Sequence, residues 1–259
     1  MILYDGDTVH MKKRVTLAVA MTGLLLAGCT SGKSAEAQAG PTASASAAPI
    51  TNGIPALTAA EILKRGSNQV KASKSYHVTG KITNDGSTME FDFKVAGKDK
   101  IGSLTMDGGK MEMLVVGGSQ YARMDKSFWT RMLGADLGKK MAAQMKNRWM
   151  KTPKGQENKS LAQFFDAVDV DKLLDETAAS PGLSKGALSE FNGTPTILLS
   201  DADSGTSVYV ATTGQPYVLK VGDIGGSNMV FSDFDKEFAE IKEPAAGEVI
   251  VVPDTKKKA

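Results

Sequence analysis

The chain has 259 residues, with 31 Lys and Arg against 29 Asp and Glu, a formal net charge of +2, and 41 % hydrophobic side chains. The charge is too balanced, and no basic face stands out, for nucleic acid to be an expected partner; the apolar content excludes a disordered polyelectrolyte. The single cysteine, Cys29, excludes an internal disulfide and is too few thiolates for a cysteine-built metal site.

In chain order, residues 1–10, MILYDGDTVH, place Asp5 and Asp7 where a signal peptide carries positive charge. Met11 is the expected true start, residues 1–10 being a mis-called extension. Lys12, Lys13 and Arg14 then form a charged n-region, and the run from Val15 to Ala27 an apolar h-region too short for the ~20 residues a bilayer span requires. Leu26-Ala27-Gly28-Cys29 resembles the bacterial lipobox. That resemblance implies a diacylglycerol on the Cys29 sulfur, cleavage before Cys29 and acylation, for instance by palmitate, of the freed amine. Residues 1–28 are thus read as a signal peptide, which leaves 28 basic against 27 acidic side chains in the mature chain. "GCTSGKS" ends like a phosphate-binding loop, but Ala27 stands where its first glycine is needed. Residues 29–55, rich in Ala, Ser, Gly, Thr and Pro, cannot bury enough surface to offset ordering entropy and are expected to form a lipidated, flexible tether. Residues 56–259 remain for one domain.

Thr58-Ala59-Ala60-Glu61 is a capping box, and Ala59, Ile62, Leu63, Gly66 and Val70 follow at helical spacing. After Ser75 the period becomes two: in "MEFDFKV", Met89, Phe91, Phe93 and Val95 alternate with charged residues. Turns at Asn84-Asp85-Gly86, Gly97-Lys98-Asp99, Asp107-Gly108-Gly109 and Gly117-Gly118 make this an antiparallel meander. Leu133, Leu137, Met141 and Met145 predict a helix over about 135–146. A second capping box at Ser160 opens another helix with Leu161, Phe164, Phe165 and Val168 on one face, continuing to about Ala179. From Ser184 alternation returns and is expected to run to the end in hairpins that turn near Asn192-Gly193, Asp203-Ser204-Gly205, Thr213-Gly214 and Gly225-Gly226. Helix, strands, helices, strands predicts an α+β fold, one large antiparallel sheet with helices on one face.

Three segments carry a resemblance. "VVGGSQYARMDKSFWTRM", "FNGTPTILLSDADSGTSVYVATTGQPYVLKV" and "MVFSDFDKEFAEIKEPAAGEVI" are similar in pattern and order to actinobacterial lipoproteins of the LppX/LprG group, over about residues 57–252. The resemblance implies a Lol-type lipoprotein-carrier fold: an unclosed half-barrel whose concave face is covered by helices around an apolar cavity for acyl chains. No stretch names the lipid.

Candidate chemistry is sparse. His77 is the one histidine of the mature chain; it alternates with Tyr76 and Val78, so it is expected to face solvent, and no G-x-S-x-G or S-x-x-K run accompanies it. Asp166, Asp169, Asp171 and Asp175 crowd one helical region, where charges usually serve solvation. "DADSGTS" begins like a calcium loop but lacks a glutamate at Thr212 and reads better as a hairpin turn. Eight methionines lie between Met106 and Met150. They fit plain core filling, the lining of an adaptable cavity, or thioether ligation of Cu(I), the last without the His or Cys that usually accompanies it. Cavity-lining candidates are Met89, Phe91, Phe93, Met111, Met113, Phe164 and Phe165, with Glu90, Asp92 and Glu112 turned to water. Lys256-Lys257-Lys258 is read as a solvated tail.

The expected function is a lipoprotein anchored through Cys29 on the extracytoplasmic face of the cell membrane, binding or carrying a lipid or lipoglycan. It would have no catalytic residues, no metal and no cofactor. The alternative is an anchored, non-catalytic scaffold, accessory or sensor module of a cell-envelope complex.

Overall fold

Turn chemistry sets the strand lengths. The structure is a computed structural model describing residues 51–84, 86–152, 174–175, 177 and 179–251, all within the unit Ala48–Ala259. Cys29, the signal and tether segments up to residue 50, Phe164, Phe165 and the capping box at Ser160 lie outside the described residues. Strands β1 (Ser75–Asn84), β2 (Ser87–Ala96), β3 (Asp99–Met106), β4 (Gly109–Val116) and β5 (Ser119–Met124) form the meander. Asp107-Gly108 and Gly117-Gly118 both have two positive φ angles, the backbone of a type I′ hairpin, whose twist matches the strands it joins.

Helix α1 (Ala59–Ala72) begins at the expected capping box: the Thr58 amide donates to Glu61 Oε2 at 2.9 Å and the Glu61 amide to Thr58 Oγ1 at 3.4 Å. It packs Ile62, Leu63, Gly66, Ser67 and Val70 against the sheet. A Cβ at Gly66 would lie 3.0 Å from Val218 Cγ2 and 3.3 Å from the Pro216 carbonyl, so glycine permits the close approach. The Lys185 ammonium donates to the carbonyls of Pro55 and Leu57, tying the chain just before α1 to the far edge of the sheet.

After β5 the chain forms two helices, α2 (Lys126–Leu133) and α3 (Ala135–Met145), then β6 (Trp149–Lys151). The period-four pattern located α3 but not α2, whose start is fixed by Asp125: its Oδ1 accepts from the Phe128 amide at 2.7 Å. Aspartate before a helical turn is a strong N-cap, a signal present in "MDKSF". Strands β7 (Leu183–Phe191), β8 (Thr194–Asp201), β9 (Ser207–Ala211), β10 (Val218–Gly222), β11 (Asn228–Ser232) and β12 (Val249–Val251) complete the fold. At "DADSGTS", Asp201 accepts from Ser180 Oγ, Ser204 Oγ and the Asp203 amide and so holds the β8–β9 hairpin turn. The Ser204 hydroxyl above all, with Ser180 and against burial, keeps its carboxyl below the usual range.

The strand order is β12-β6-β5-β4-β3-β2-β1-β11-β10-β9-β8-β7, so two meanders join at the β1–β11 pair and the sheet ends at β12 and β7 without closing. All pairs are antiparallel except β12–β6, which is parallel. The expectation of a purely antiparallel sheet, and of hairpins running to the end, is corrected here. Asp233 and Asp235, both with positive φ, turn the chain out of β11. Residues 233–248 then form no strand, and β12 emerges beside β6. A segment that crosses from mid-sheet to the far edge arrives in whichever direction the crossing leaves it, which alternation cannot reveal.

Helices α1 and α2 lie on the same face of the sheet. Gly66 of α1 abuts Val210 and Val218, and α2 abuts the backbone at Gly109, where a Cβ would meet Phe128 Cα at 2.9 Å. This inner face holds the main core, from Ile62, Leu63 and Val70 through Val78, Phe91, Phe93, Leu104 and Met113 to Val208, Val210, Val218 and Phe231. The outer face carries a second cluster of Leu114, Tyr121 and Trp149 with Ile101, Val116 and Val249. Arg123 lies 4.4 Å over the Trp149 ring and donates to Glu112 Oε2 at 2.6 Å.

Candidate functional site: the inner face of β1 to β5

Strand register arranges the inner face in rows, because a cross-strand pair shares a face. Ile82, Met89, Met106 and Gly109 form one row. Met229, Gly80, Phe91, Leu104, Met111 and Met124 form the next, and Phe231, Val78, Phe93, Gly102, Met113, Ala122 and Met150 the third. No charged side chain interrupts these rows. Glu90, Asp92 and Glu112 stand on the opposite face.

Five of the seven cavity candidates therefore share one surface, on β2 and β4 with β3 between them. They are not equivalent. Phe91, Phe93 and Met113 are 5 %, 3 % and 1 % exposed, inside the main core. Met89 and Met111 pack against that core only half-buried. The aromatic rings owe their placement to glycine. A Cβ on Gly102 would fall 2.2 Å from Phe93 Cδ1, and one on Gly80 2.7 Å from Phe91 Cζ, so each ring lies over a bare backbone on the neighbouring strand, as an aromatic covering a sheet glycine does. Phe91 and Phe93 stand 6.4 Å apart between centroids.

The register adds residues that the set of cavity candidates did not include. Met106 opposes Met89, and Met124 opposes Met111; both newcomers are half-buried, as are Met150 and Met229. The result is a band of flexible thioethers beside a rigid aromatic floor, a combination suited to an adaptable apolar contact. Their parity within alternating strands and the turns of the meander were usable signals; the exact register that sets one methionine opposite another was not.

Ser67 Oγ on α1, Gln120 Oε1 on β5 and Trp129 Nε1 on α2 are fully desolvated and make no hydrogen bond among the described residues. Each such group costs about 1–3 kcal/mol.

His77 does not face open solvent. It lies on the outer face with its side chain only 19 % exposed, Nε2 2.8 Å from Asp92 Oδ1 and Nδ1 3.5 Å from Asp233 Oδ2. Hydrogen bonding and charge from Lys236, against burial and helped by His77, hold the Asp233 carboxyl below its ordinary value. Both polar neighbours of His77 are carboxylates, so no nucleophile is hydrogen-bonded to it among the described residues, as an acyl-transfer triad requires. Among the described residues no three His, Cys, Asp or Glu side chains converge as metal ligands, and no helix is long and apolar enough to cross a membrane.

No family model and no curated protein matches the chain. Solved structures do. LprF from Mycobacterium bovis is similar at 12 % identity and a TM-score of 0.44, over 73 % of this chain and 97 % of that one. The Mycobacterium tuberculosis lipoprotein LppX is similar at 16 % identity and 0.43, over 71 % and 97 %. An uncharacterized conserved protein from Thermus thermophilus is similar at 11 % identity and 0.33, over 74 % and 98 %. The group that the sequence resembles is thus represented among the matches by LppX itself.

Proposed function

We propose that this chain is a membrane-tethered, extracytoplasmic lipoprotein that takes acyl chains onto the inner face of β1 to β5, without catalysing a reaction. The observation that carries this reading is the uncharged, methionine-edged surface between sheet and helices, with half-buried Met89, Met106, Met111 and Met124 in facing pairs. Binding there would gain about 0.8 kcal/mol per buried methylene, so chain length would dominate over headgroup chemistry. The Trp129 indole N–H, without a partner among the described residues, would offer a donor to ester or glycan oxygens of a lipid or lipoglycan. The anchor would be a diacylglyceryl group on Cys29, holding the domain within reach of its donor bilayer.

A second reading has its own observation. Burial of Phe91, Phe93 and Met113 to 5 % or less is what a collapsed core shows, and a collapsed core would make this an anchored scaffold of an envelope complex. Native mass spectrometry of the mature chain, purified from its own host, separates the two. Acyl-lipid adducts released on activation support the carrier. A bare polypeptide mass that stays bare after incubation with host lipid extract refutes it.

A further inference from the structure

The near-neutral total conceals a local concentration of charge. Residues 125–148, the α2–α3 hairpin, contain six basic side chains (Lys126, Arg131, Lys139, Lys140, Lys146, Arg148) against Asp125 and Asp136, a net +4 in a chain that totals +2. Asp125 is occupied by its capping bond to the Phe128 amide, and Arg131 is paired with Asp107. Among the described residues no carboxylate pairs with Lys126, Lys139, Lys140 or Lys146.

The same hairpin exposes apolar side chains. Of the five large hydrophobic residues that stand more than half exposed among those described, Met132 and Leu137 flank its turn, each at 52 %, and Ile224 reaches 91 %. Register puts Ile224 at the same end of the sheet: Lys81 opposes Asn228, so the β10–β11 turn lies at the end of β1. Ile82 opposes Met89 and Met89 opposes Met106, which sets Asp107, the partner of Arg131, at that end too. Asp203 and Asp223 on neighbouring turns are further acidic groups there. Glycine locks the hairpin together, since a Cβ on Gly138 would lie 2.3 Å from Thr130 Cα.

Lysines with no carboxylate partner among the described residues, beside exposed methionine and leucine, are the two halves of an interfacial membrane contact. We infer that the α2–α3 hairpin is a docking surface for an anionic bilayer, pressing this end of the sheet against the headgroups with the lysines on lipid phosphates and Met132, Leu137 and Ile224 at the acyl boundary. The inference rests on the carrier reading, for which it supplies the place where lipid enters. The chain joins the fold at the opposite end, where the Asn52 amide donates to the Thr212 carbonyl. The 22 residues from Cys29 to Ile50 span about 75 Å when extended, more than twice a ten-residue strand, so the anchor does not prevent this orientation.

The test uses the mature chain beginning at residue 29 with Cys29→Ser, which retains every residue of both cores, and vesicles of phosphatidylcholine alone or mixed with phosphatidylglycerol. Co-sedimentation is expected with the anionic vesicles only, and to vanish in high salt. Lys139→Gln with Lys140→Gln is expected to weaken it about 25-fold, at about fivefold per lysine, and Leu137→Ser about tenfold, with melting of each variant unchanged. A parent that ignores phosphatidylglycerol, as it would if an acidic protein were the true occupant, overturns the proposal, and so does a lysine pair variant that binds like the parent. Native mass spectrometry of the same preparations keeps the two readings apart. Bound lipid without vesicle binding sinks the docking surface alone, and vesicle binding without bound lipid sinks the cavity alone.

Discussion

Trp substitution at Met111 and at Met113 distinguishes usable space from packed core on one strand. Both side chains project from the inner face of β4, two residues apart, yet Met113 is 1 % exposed while Met111 is half-buried. Met113 opposes Gly102, over which the Phe93 ring already lies, so added volume there has nowhere to go. Overpacking costs about 1–3 kcal/mol, and a domain of this size loses about 2–4 °C of Tm per kcal/mol, so Met113→Trp is expected to melt about 2–12 °C below the parent. Met111 opposes Leu104 and Met124 at the edge of the core. Met111→Trp is expected to cost under about 0.5 kcal/mol, or less than about 2 °C, while filling the acyl surface. Thermal melting by circular dichroism reads the first effect, and uptake of a fluorescent phospholipid by the delipidated protein reads the second. Equal losses of Tm in both variants, or lipid uptake by Met111→Trp as great as the parent's, would overturn this distinction between packed core and usable space.

Gly102→Ala sets a Cβ 2.2 Å from Phe93 Cδ1 and 2.3 Å from the Asp92 carbonyl; the variant is expected to lose about 1–3 kcal/mol in denaturant unfolding, and an unchanged midpoint would refute the aromatic-on-glycine contact. Burial pushes the Glu112 carboxyl up, but its hydrogen bond and charge pairing with Arg123, helped by Lys110, outweigh this and hold it below the ordinary value. A folded value below the unfolded one of about 4.3 gives stabilisation that is present above that pH and lost as pH falls through the folded value. The Tm gap between the parent and Glu112→Gln should therefore narrow below about pH 4, and a gap constant down to the acid transition would show that the pair contributes nothing. Cys29→Ser is expected to move the protein out of the detergent phase in Triton X-114 partition, and retention there equal to the parent would refute the lipobox.

What the sequence determined is whatever a short window suffices to fix. Thr58 and Glu61 satisfy each other within one helical turn, Asp107-Gly108 and Gly117-Gly118 reverse the chain through their own φ angles, and alternation assigns Phe91, Phe93, Met111 and Met113 to one side of their strands. The α2 start belongs to the same class, since Asp125 caps it locally; the period-four pattern beginning at Leu133 lies beyond that cap and carries no sign of it. Tertiary structure decided the rest because it turns on partners distant in the chain. That the two meanders join through β1 and β11 depends on pairing between strands far apart in the chain, which neither alternation nor the hairpin turns fix. That β12 lies parallel to β6 depends on where residues 233–248 cross the sheet. His77 looked solvent-facing by parity, and its parity was right; the carboxylate of Asp233, far along the chain, covers it. The difference between Met111 and Met113 has the same origin: equal by alternation, they differ because Phe93 and Gly102, brought alongside by register, fill the space beside one and not the other.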